Sequence, residues 1–427
     1  DKVEWEDGWP VVQSSSPSIS ASRPLFLIEN LQTILSLKSP GNQAVDYPLY
    51  YNRLSDNLYD YEWKGNTKLP VLIFQKIDAA VGKIVLKTQI IALDDIYFSY
   101  GQYWNTHFPH DKCLFYMPGF WYRRNQRSPQ EAPSFYASDS WIVREDRLSA
   151  PLTGVFNEMN GRSLLVSRLD VGNTDVLTTH KEGDVILSGS TSLGFTGFGR
   201  QEGSAVLAFG FPYREAPKTY IRKLTLAPEV RTFQALKKGE SIFLTWEVKS
   251  GEAENFSDFV KQTWEYSYDT YAPVPVDTTY SVKQVKDLLS KYFTSSLVDR
   301  YPLIYNSGAH LRVDDCQSRG IAEVGFIGRT LLNAFNAWEY GWQVNRQDLK
   351  ENSQHIFDSY LKNGFTSTGF FREYVDFEKQ VDEQNLSIRR QSEGIYAMLH
   401  FLHYEREAGR AHPEWENRIR KMLDLFL

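Results

Sequence analysis

From about Pro24 to Ser250 the apolar residues fall into short runs such as LPVLIFQKI, KIVLKTQIIAL, DIYFSYGQYW, SAVLAFGF and SIFLTWEVKS. The runs are rich in β-branched and aromatic residues, which fit a pleated, half-buried surface. Turn segments such as NEMNGRS, RQEGSA and LKKGES separate them. Many short strands with no helical period between them predict one large antiparallel β-sandwich over residues 24–250. The Ser- and Pro-biased residues 1–23 read as a flexible lead-in.

After Gly251 the period changes. NFSDFVKQTWEYSYDTY and SVKQVKDLLSKYF predict linker helices within 251–316, with Pro-rich APVPVD between them. From Ser318 onward, Val324, Ile327, Leu331, Phe335 and Trp338 recur at steps of three and four, one face of a long helix that Gly341 would stop. A second helix is predicted from about Arg346 to Lys362, ended by Asn363-Gly364. A third carries Ile395, Leu399 and Leu402 and stops at Gly409, and Pro413 opens a fourth, since proline suits a first helical turn.

These helices show an internal repeat. QSRGI (317–321) and QSEGI (391–395) each precede an apolar run, and LKENSQHIFDSYL (349–361) aligns with WENRIRKMLDLFL (415–427). The repeating unit is therefore a helical hairpin followed by a long loop, and 317–427 reads as a stacked αα-hairpin array. Both repeated helix starts fall at the long-loop end, where unpaired N–H groups and a partial positive charge make a natural place for a site. Gly320, Gly325 and Gly328 inside an apparent helix each cost roughly 1 kcal/mol relative to Ala, which predicts close approach of another backbone.

Composition narrows the function classes. A formal charge of −6 over 427 residues gives no reason to expect nucleic acid or an anionic membrane as partner. No apolar stretch approaches the ~20 residues needed to span a bilayer. Cys113 and Cys316 lie far apart and form no metal-type spacing, so neither a zinc site nor a disulfide scaffold is indicated; whether the two pair is open. The chain opens at Asp1 rather than Met, consistent with a processed, secreted or periplasmic protein. No GxSxG elbow, HExxH motif or phosphate-binding glycine loop is present. Aromatic residues make up 15% of the chain, a content that serves either a large sandwich core or the faces of sugar rings.

The order of a large β-sandwich, a helical linker and αα hairpins is carried by GESIFLTWEVKSGEAENFSDFVKQTWE, GFIGRTLLNAFNAWEYG and RRQSEGIYAMLHFLHYEREAG. It resembles bacterial carbohydrate-active enzymes with an N-terminal supersandwich and an (α/α) six-hairpin toroid, a group of glycoside hydrolases and phosphorylases. About two hairpins are countable here, so the array is expected to be an incomplete toroid, with the chain a fragment. The resemblance implies a glycoside hydrolase acting on a carbohydrate, with inversion of configuration, and no cofactor is expected for such a hydrolytic reaction.

Hydrolysis needs two carboxyl groups across the sugar. The candidates at the long-loop end are Glu393, Glu373, Asp315 and Asp376, with Asp314 unable to share one face with its neighbour Asp315. Glu393 leads because it stands where the other repeat has Arg319, although Arg389 and Arg390 are at ordinary helix ion-pair spacing from it. Arg372, Arg389 and Arg390 are candidates to hold a carboxylate-bearing sugar, since guanidinium groups bind carboxylates in bidentate fashion. In the sandwich the run FYMPGFWYRRNQRSP makes Trp121, Tyr122 and Arg124 candidate sugar contacts. Two other readings stand beside the hydrolase. A polysaccharide lyase would use a Tyr or His base, with Tyr374, His400 and His403 as candidates, and a glycan-binding protein would use the aromatic residues without turnover.

Overall fold

The computed structural model describes residues 2–6, 9–13, 30–126, 130–170, 182–222, 224–306, 320–326, 329–383 and 386–426. The chain divides into two units, 1–274 and 275–427, with the division inside the Pro-rich APVPVD segment.

The first unit is mostly β-sheet. One sheet runs from Leu31–Lys38 through the long strand Ile96–Pro109 to Ser204–Phe211, Phe195–Gln201, Trp141–Arg144 and Arg214–Arg222. Thr225–Leu236 pairs with Arg214–Arg222 and returns to the Ile96 end of the long strand, closing a ring of pairings there. The other sheet runs Trp121–Arg123, Cys113–Met117, Leu152–Asn157, Arg162–Arg168, Ser241–Glu252, Lys83–Ala92, Val71–Ala80 and Leu58–Glu62. The strand Val45–Arg53 belongs to both: Val45–Leu49 pairs with Leu31–Lys38, and Tyr50–Arg53 pairs with Leu58–Glu62. Every pairing named is antiparallel; the short strand Gly183–Ile186 runs parallel to Thr225–Leu236.

Alternation places the core. Along Lys83–Ala92, Ile84, Leu86, Thr88, Ile90 and Ala92 point inward, as period-two spacing demands. The two sheets meet through rings, with Trp246 of one stacked on Tyr100 of the other at 6.3 Å. Cys113–Met117 is buried throughout because helix α1 (Phe256–Tyr271) covers its second face. Asn255 caps α1 by accepting the N–H groups of Ser257 and Asp258 at 3.0 Å. Phe259 of α1 occupies a notch above Gly154, where a Cβ would meet its ring at 2.6 Å.

The second unit holds α2 (Val282–Ser295), α3 (Thr330–Gln343), α4 (Gln347–Asn363), α5 (Ile388–Glu407) and α6 (Pro413–Asp424). The helices α3–α4 and α5–α6 form two hairpins, and α3 also packs on α5. Their shared core includes Leu331, Ile356, Met398, Ile419 and Met422, with Phe357 stacked on Phe401 at 4.0 Å. A three-stranded sheet, Ile321–Glu323 with Tyr374–Asp376 and Val381–Glu383, stands beside the helix starts.

The structure corrects the helix predicted from Ser318. Residues 317–319 lie outside the described residues, Gly320 has a left-handed φ of 65°, and Ile321–Glu323 is a strand. The glycines forbid the expected helix: Gly325 is pressed against the Arg390 backbone, where a Cβ would sit 2.1 Å from the carbonyl oxygen. The expected close backbone approach is thus real at Gly325, outside any helix. Gly320 and Ile321, the end of QSRGI, therefore lie in a bend and a strand, whereas Gly394 and Ile395, the end of QSEGI, lie in the opening turns of α5. Gly341 does not stop α3 but lies in its last turn, against Leu349 and Lys350 of α4. Leu399 is exposed, and the buried face of α5 runs through Ile395, Met398, Phe401 and Leu402. Among the described residues there are two hairpins, the number expected from the repeat.

Candidate functional site

The chain bends at Phe326, which takes φ 100°, a conformation that an L residue adopts only under constraint from its surroundings. The constraint comes from α5: the Phe326 N–H donates to Glu393 Oε2 at 2.6 Å. Three guanidinium groups flank the ring, Arg389 at 4.6 Å, Arg329 at 5.2 Å and Arg390 at 5.6 Å. Three glutamates balance them. Arg390 reaches Glu373 Oε1 at 3.0 Å and Glu323 Oε1 at 3.2 Å, Arg329 pairs with the other Glu323 oxygen, and Arg389 lies 3.8 Å from Glu393.

Four expected residues, Glu373, Glu393, Arg389 and Arg390, thus gather at the start of α5. Their roles differ. Glu373 is 0% exposed, and its second oxygen accepts the Ser387 N–H at 2.7 Å and the Gln391 amide at 3.3 Å. It places negative charge at the N-terminus of α5, the favourable end of the helix dipole, and is fully engaged there. Glu393, 24% exposed, keeps a face toward solvent.

The others lie apart. Asp376 Oδ1 accepts the N–H groups of Glu378 at 3.1 Å and Lys379 at 3.0 Å, closing a turn. The Lys379 backbone hydrogen bond holds its carboxyl below the usual range, the wrong direction for a general acid. Arg372 pairs with Asp382 and donates to the Asn363 carbonyl at 3.1 Å. Asp315, with Asp314 and Cys316, lies outside the described residues.

In the first unit Trp121 is 0% exposed, wedged against Phe135, Trp141 and Phe198, so its ring has no face for a sugar. Alternation decided this: Trp121 takes the core side of its strand and Tyr122 the exposed side. Arg124 donates to the backbone carbonyls of Cys113 and Asp111. Cys113 is buried, and burial pushes its thiol up to about 12. Of the expected lyase bases, His400 packs against Phe335 and Tyr396, His403 pairs with Glu407 at 3.3 Å, and Tyr374 lies on the strand paired with Glu323.

A cleft of about 510 Å³ between α2 and α3 was not foreseen. From α3 it is lined by Asn333, Asn336, Glu339, Tyr340 and Gln343, with Arg329 at the N-cap, and facing them are Lys286, Tyr292 and Asn306. Asn333 donates to Asn306 Oδ1 at 3.2 Å, Tyr340 Oη to Asp287 at 3.4 Å, and Tyr404 Oη to Glu339 at 3.1 Å. The sequence did carry a signal. Arg329, Asn333, Asn336, Tyr340 and Gln343 recur at steps of three and four opposite the Leu331–Phe335–Trp338 stripe. Arg329 joins the cleft to the carboxylate cluster, and burial followed by the nearby Arg390 charge holds its pKa below the ordinary value. Among the described residues no group of three or more His, Cys, Asp or Glu side chains is placed to hold a metal ion, and no helix is long and apolar enough to cross a membrane.

No family model and no curated protein matches the chain. Among solved structures it is similar to a polysaccharide lyase, at 10% identity and TM-score 0.35, over 97% of this chain and 64% of the lyase. It is also similar to a galactose mutarotase-like protein from Clostridium acetobutylicum, at 10% identity and TM-score 0.29, over 58% of this chain and 87% of the other. An α-galactosidase from Lactobacillus brevis follows at 10% identity and TM-score 0.25, over 63% and 36% of the two chains. The chain spans 64% of the length of the lyase and a smaller share of the galactosidase. These neighbours are carbohydrate-active folds, and likeness at this level assigns neither family nor activity.

Proposed function

We propose that this protein acts on a glycan and that the α2–α3 cleft of the helical unit holds a carboxylate-bearing sugar. The observation that carries this reading is Arg329: a partly desolvated guanidinium that pairs with Glu323 and also lines the cleft with the carboxamides of Asn306, Asn333 and Asn336. A guanidinium fork matches a carboxylate geometrically, and carboxamides both donate to and accept from sugar hydroxyls.

Neutralising a uronate carboxylate makes the proton on the adjacent carbon easier to remove. A base then takes that proton, a carbon–carbon double bond forms, the bond to the leaving glycosidic oxygen breaks, and that oxygen is protonated. In this reading Tyr340, which lines the cleft and whose hydroxyl donates to the Asp287 carboxylate at 3.4 Å, serves the proton transfers. β-Elimination therefore uses the groups that line the cleft.

Hydrolysis is the second reading, favoured by the partly exposed Glu339 carboxyl in the same cleft. It asks for two carboxyl groups across the sugar, and the commitment of Glu373 to Arg390 and α5 removes one of the expected pair. The test is turnover of uronate-containing and neutral polysaccharides, following new reducing ends and the ultraviolet absorbance of an unsaturated product. Elimination raises both signals, and Tyr340→Phe lowers them about 100-fold or more. Reducing ends without absorbance would replace elimination by hydrolysis. Turnover unchanged by both Arg329→Lys and Tyr340→Phe would remove the site from this cleft.

A further inference from the structure

The sheet containing the long strand carries a separate groove of about 410 Å³, within the range of roughly 300–1,000 Å³ typical of small-molecule sites. Its register explains it. Gln32, Tyr103, Ala208, Gly197, Ile142 and Ala216 form one row across six paired strands. Ala208 and Gly197 leave the middle of that row with little side-chain bulk, with the polar Gln32 and Tyr103 at one end and the apolar Ile142 and Ala216 at the other. Val206 and Ala208 are buried at the floor, Tyr103 and Arg214 rise half-buried from it, and Gln32, Arg200, Gln201 and Glu229 are exposed at the rim.

The walls are organised. Arg214 Nη1 donates to Tyr103 Oη at 3.2 Å, holding the phenol upright at the edge of the floor. The charges cancel in pairs: Arg214 lies 3.6 Å from Glu229, and Arg200 lies 3.8 Å from Asp139. An occupant therefore needs no net charge of its own. It needs an apolar face for the Ala/Val floor and the tyrosine ring, and hydroxyls at its edge for the carboxamides and the guanidinium. A pyranose has this division between its C–H face and its hydroxyl rim, and the volume admits two rings.

We infer that this groove is a second carbohydrate site, selective for neutral disaccharide units and separate from the α2–α3 cleft. It is a binding site: the groups around it supply hydrogen bonds and an aromatic face. Because it lies wholly within the first unit, its existence is independent of what the helical unit does.

The experiment uses the full chain carrying Asn333→Ala and Asn336→Ala, so that the helical cleft is disabled. Isothermal titration with a panel of neutral α- and β-linked gluco-, galacto- and manno-disaccharides, and with glucuronate, reads the remaining binding. At least one neutral disaccharide should bind and glucuronate should not. Tyr103→Ala should weaken that binding about tenfold or more, the scale of a lost ring face and its hydrogen bond. Gln32→Ala alters only an exposed side chain and should weaken it about threefold, which guards against a Tyr103 variant that misfolds. Absence of binding across the neutral panel, binding that survives both substitutions, or preference for glucuronate would each overturn the assignment. Failure of the helical-cleft reading would appear instead as turnover unaffected by Arg329→Lys and Tyr340→Phe, which this titration does not measure.

Discussion

Glu373 and Glu393 lie 20 positions apart and both touch α5, yet they answer to different physics. Glu373→Ala should destabilise the helical unit by about 3 kcal/mol, because it strands the Ser387 N–H and half of the Arg390 pairing in a buried place. Glu393→Gln retains an acceptor for the Phe326 N–H at a partly exposed position and should cost under about 1 kcal/mol. Urea unfolding followed by far-ultraviolet circular dichroism separates the two. In the first unit, burial raises the Glu145 carboxyl to about 7 from an ordinary 4.5, outweighing the Arg168 guanidinium at 3.1 Å and the Gly194 N–H at 2.7 Å. The folded state therefore holds a proton that the unfolded chain has released, and stability falls as pH rises from about 4.5 to 7, then levels. The slope is at most about 1.4 kcal/mol per pH unit from this group. Glu145→Gln should flatten it in melts taken across that range; a slope unchanged by the substitution would mean that other groups set it.

At the scale of elements, the crossing of Gly325 with α5 controls where the helix start sits. Gly325→Ala drives a methyl into the Arg390 carbonyl, a backbone atom that cannot step aside, and should cost about 3 kcal/mol or more. Gly409→Ala faces open space and pays only for its left-handed φ of 79°, about 1 kcal/mol. Denaturant midpoints of the two variants give the comparison directly. The same crossing marks how far the sequence could be read. The span of α4, the end of α5 and the start of α6 were legible because Gly364, Gly409 and Pro413 agreed with the apolar stripes, Leu399 excepted. The strand Ile321–Glu323 was not, because Val324, Leu331, Phe335 and Trp338 keep a helical step across a stretch that the glycines and a distant strand partner, Tyr374–Asp376, bend out of helix. The gathering of Glu373, Glu393 and Arg390 was legible in part from charge at the α5 start. The role of Asp376 was not, since an Asx-type turn onto Lys379 depends on backbone conformation that residue type alone leaves undetermined. The cleft escaped because a face of carboxamides opposite an apolar stripe has the same pattern whether it meets solvent or lines a cleft.

For the whole molecule, the residues joining the units are the exposed point. Positions 273–281 are solvent-exposed throughout and carry Pro273 and Pro275, whereas α1 before them is packed on the sheet. Brief digestion with a protease of broad specificity should cut there first and yield a β-rich fragment ending near residue 274; first cuts inside either unit would show that it opens more readily than the connection.

The strand Val45–Arg53 has a mechanical consequence. Because one continuous strand is zipped into both sheets, prying them apart loads that strand in tension, and its hydrogen bonds to Leu31–Lys38 and to Leu58–Glu62 must shear. Pulled in a force experiment, the β unit should therefore yield in one large event at this stitch, with the sheets surrendering together rather than peeling off in turn.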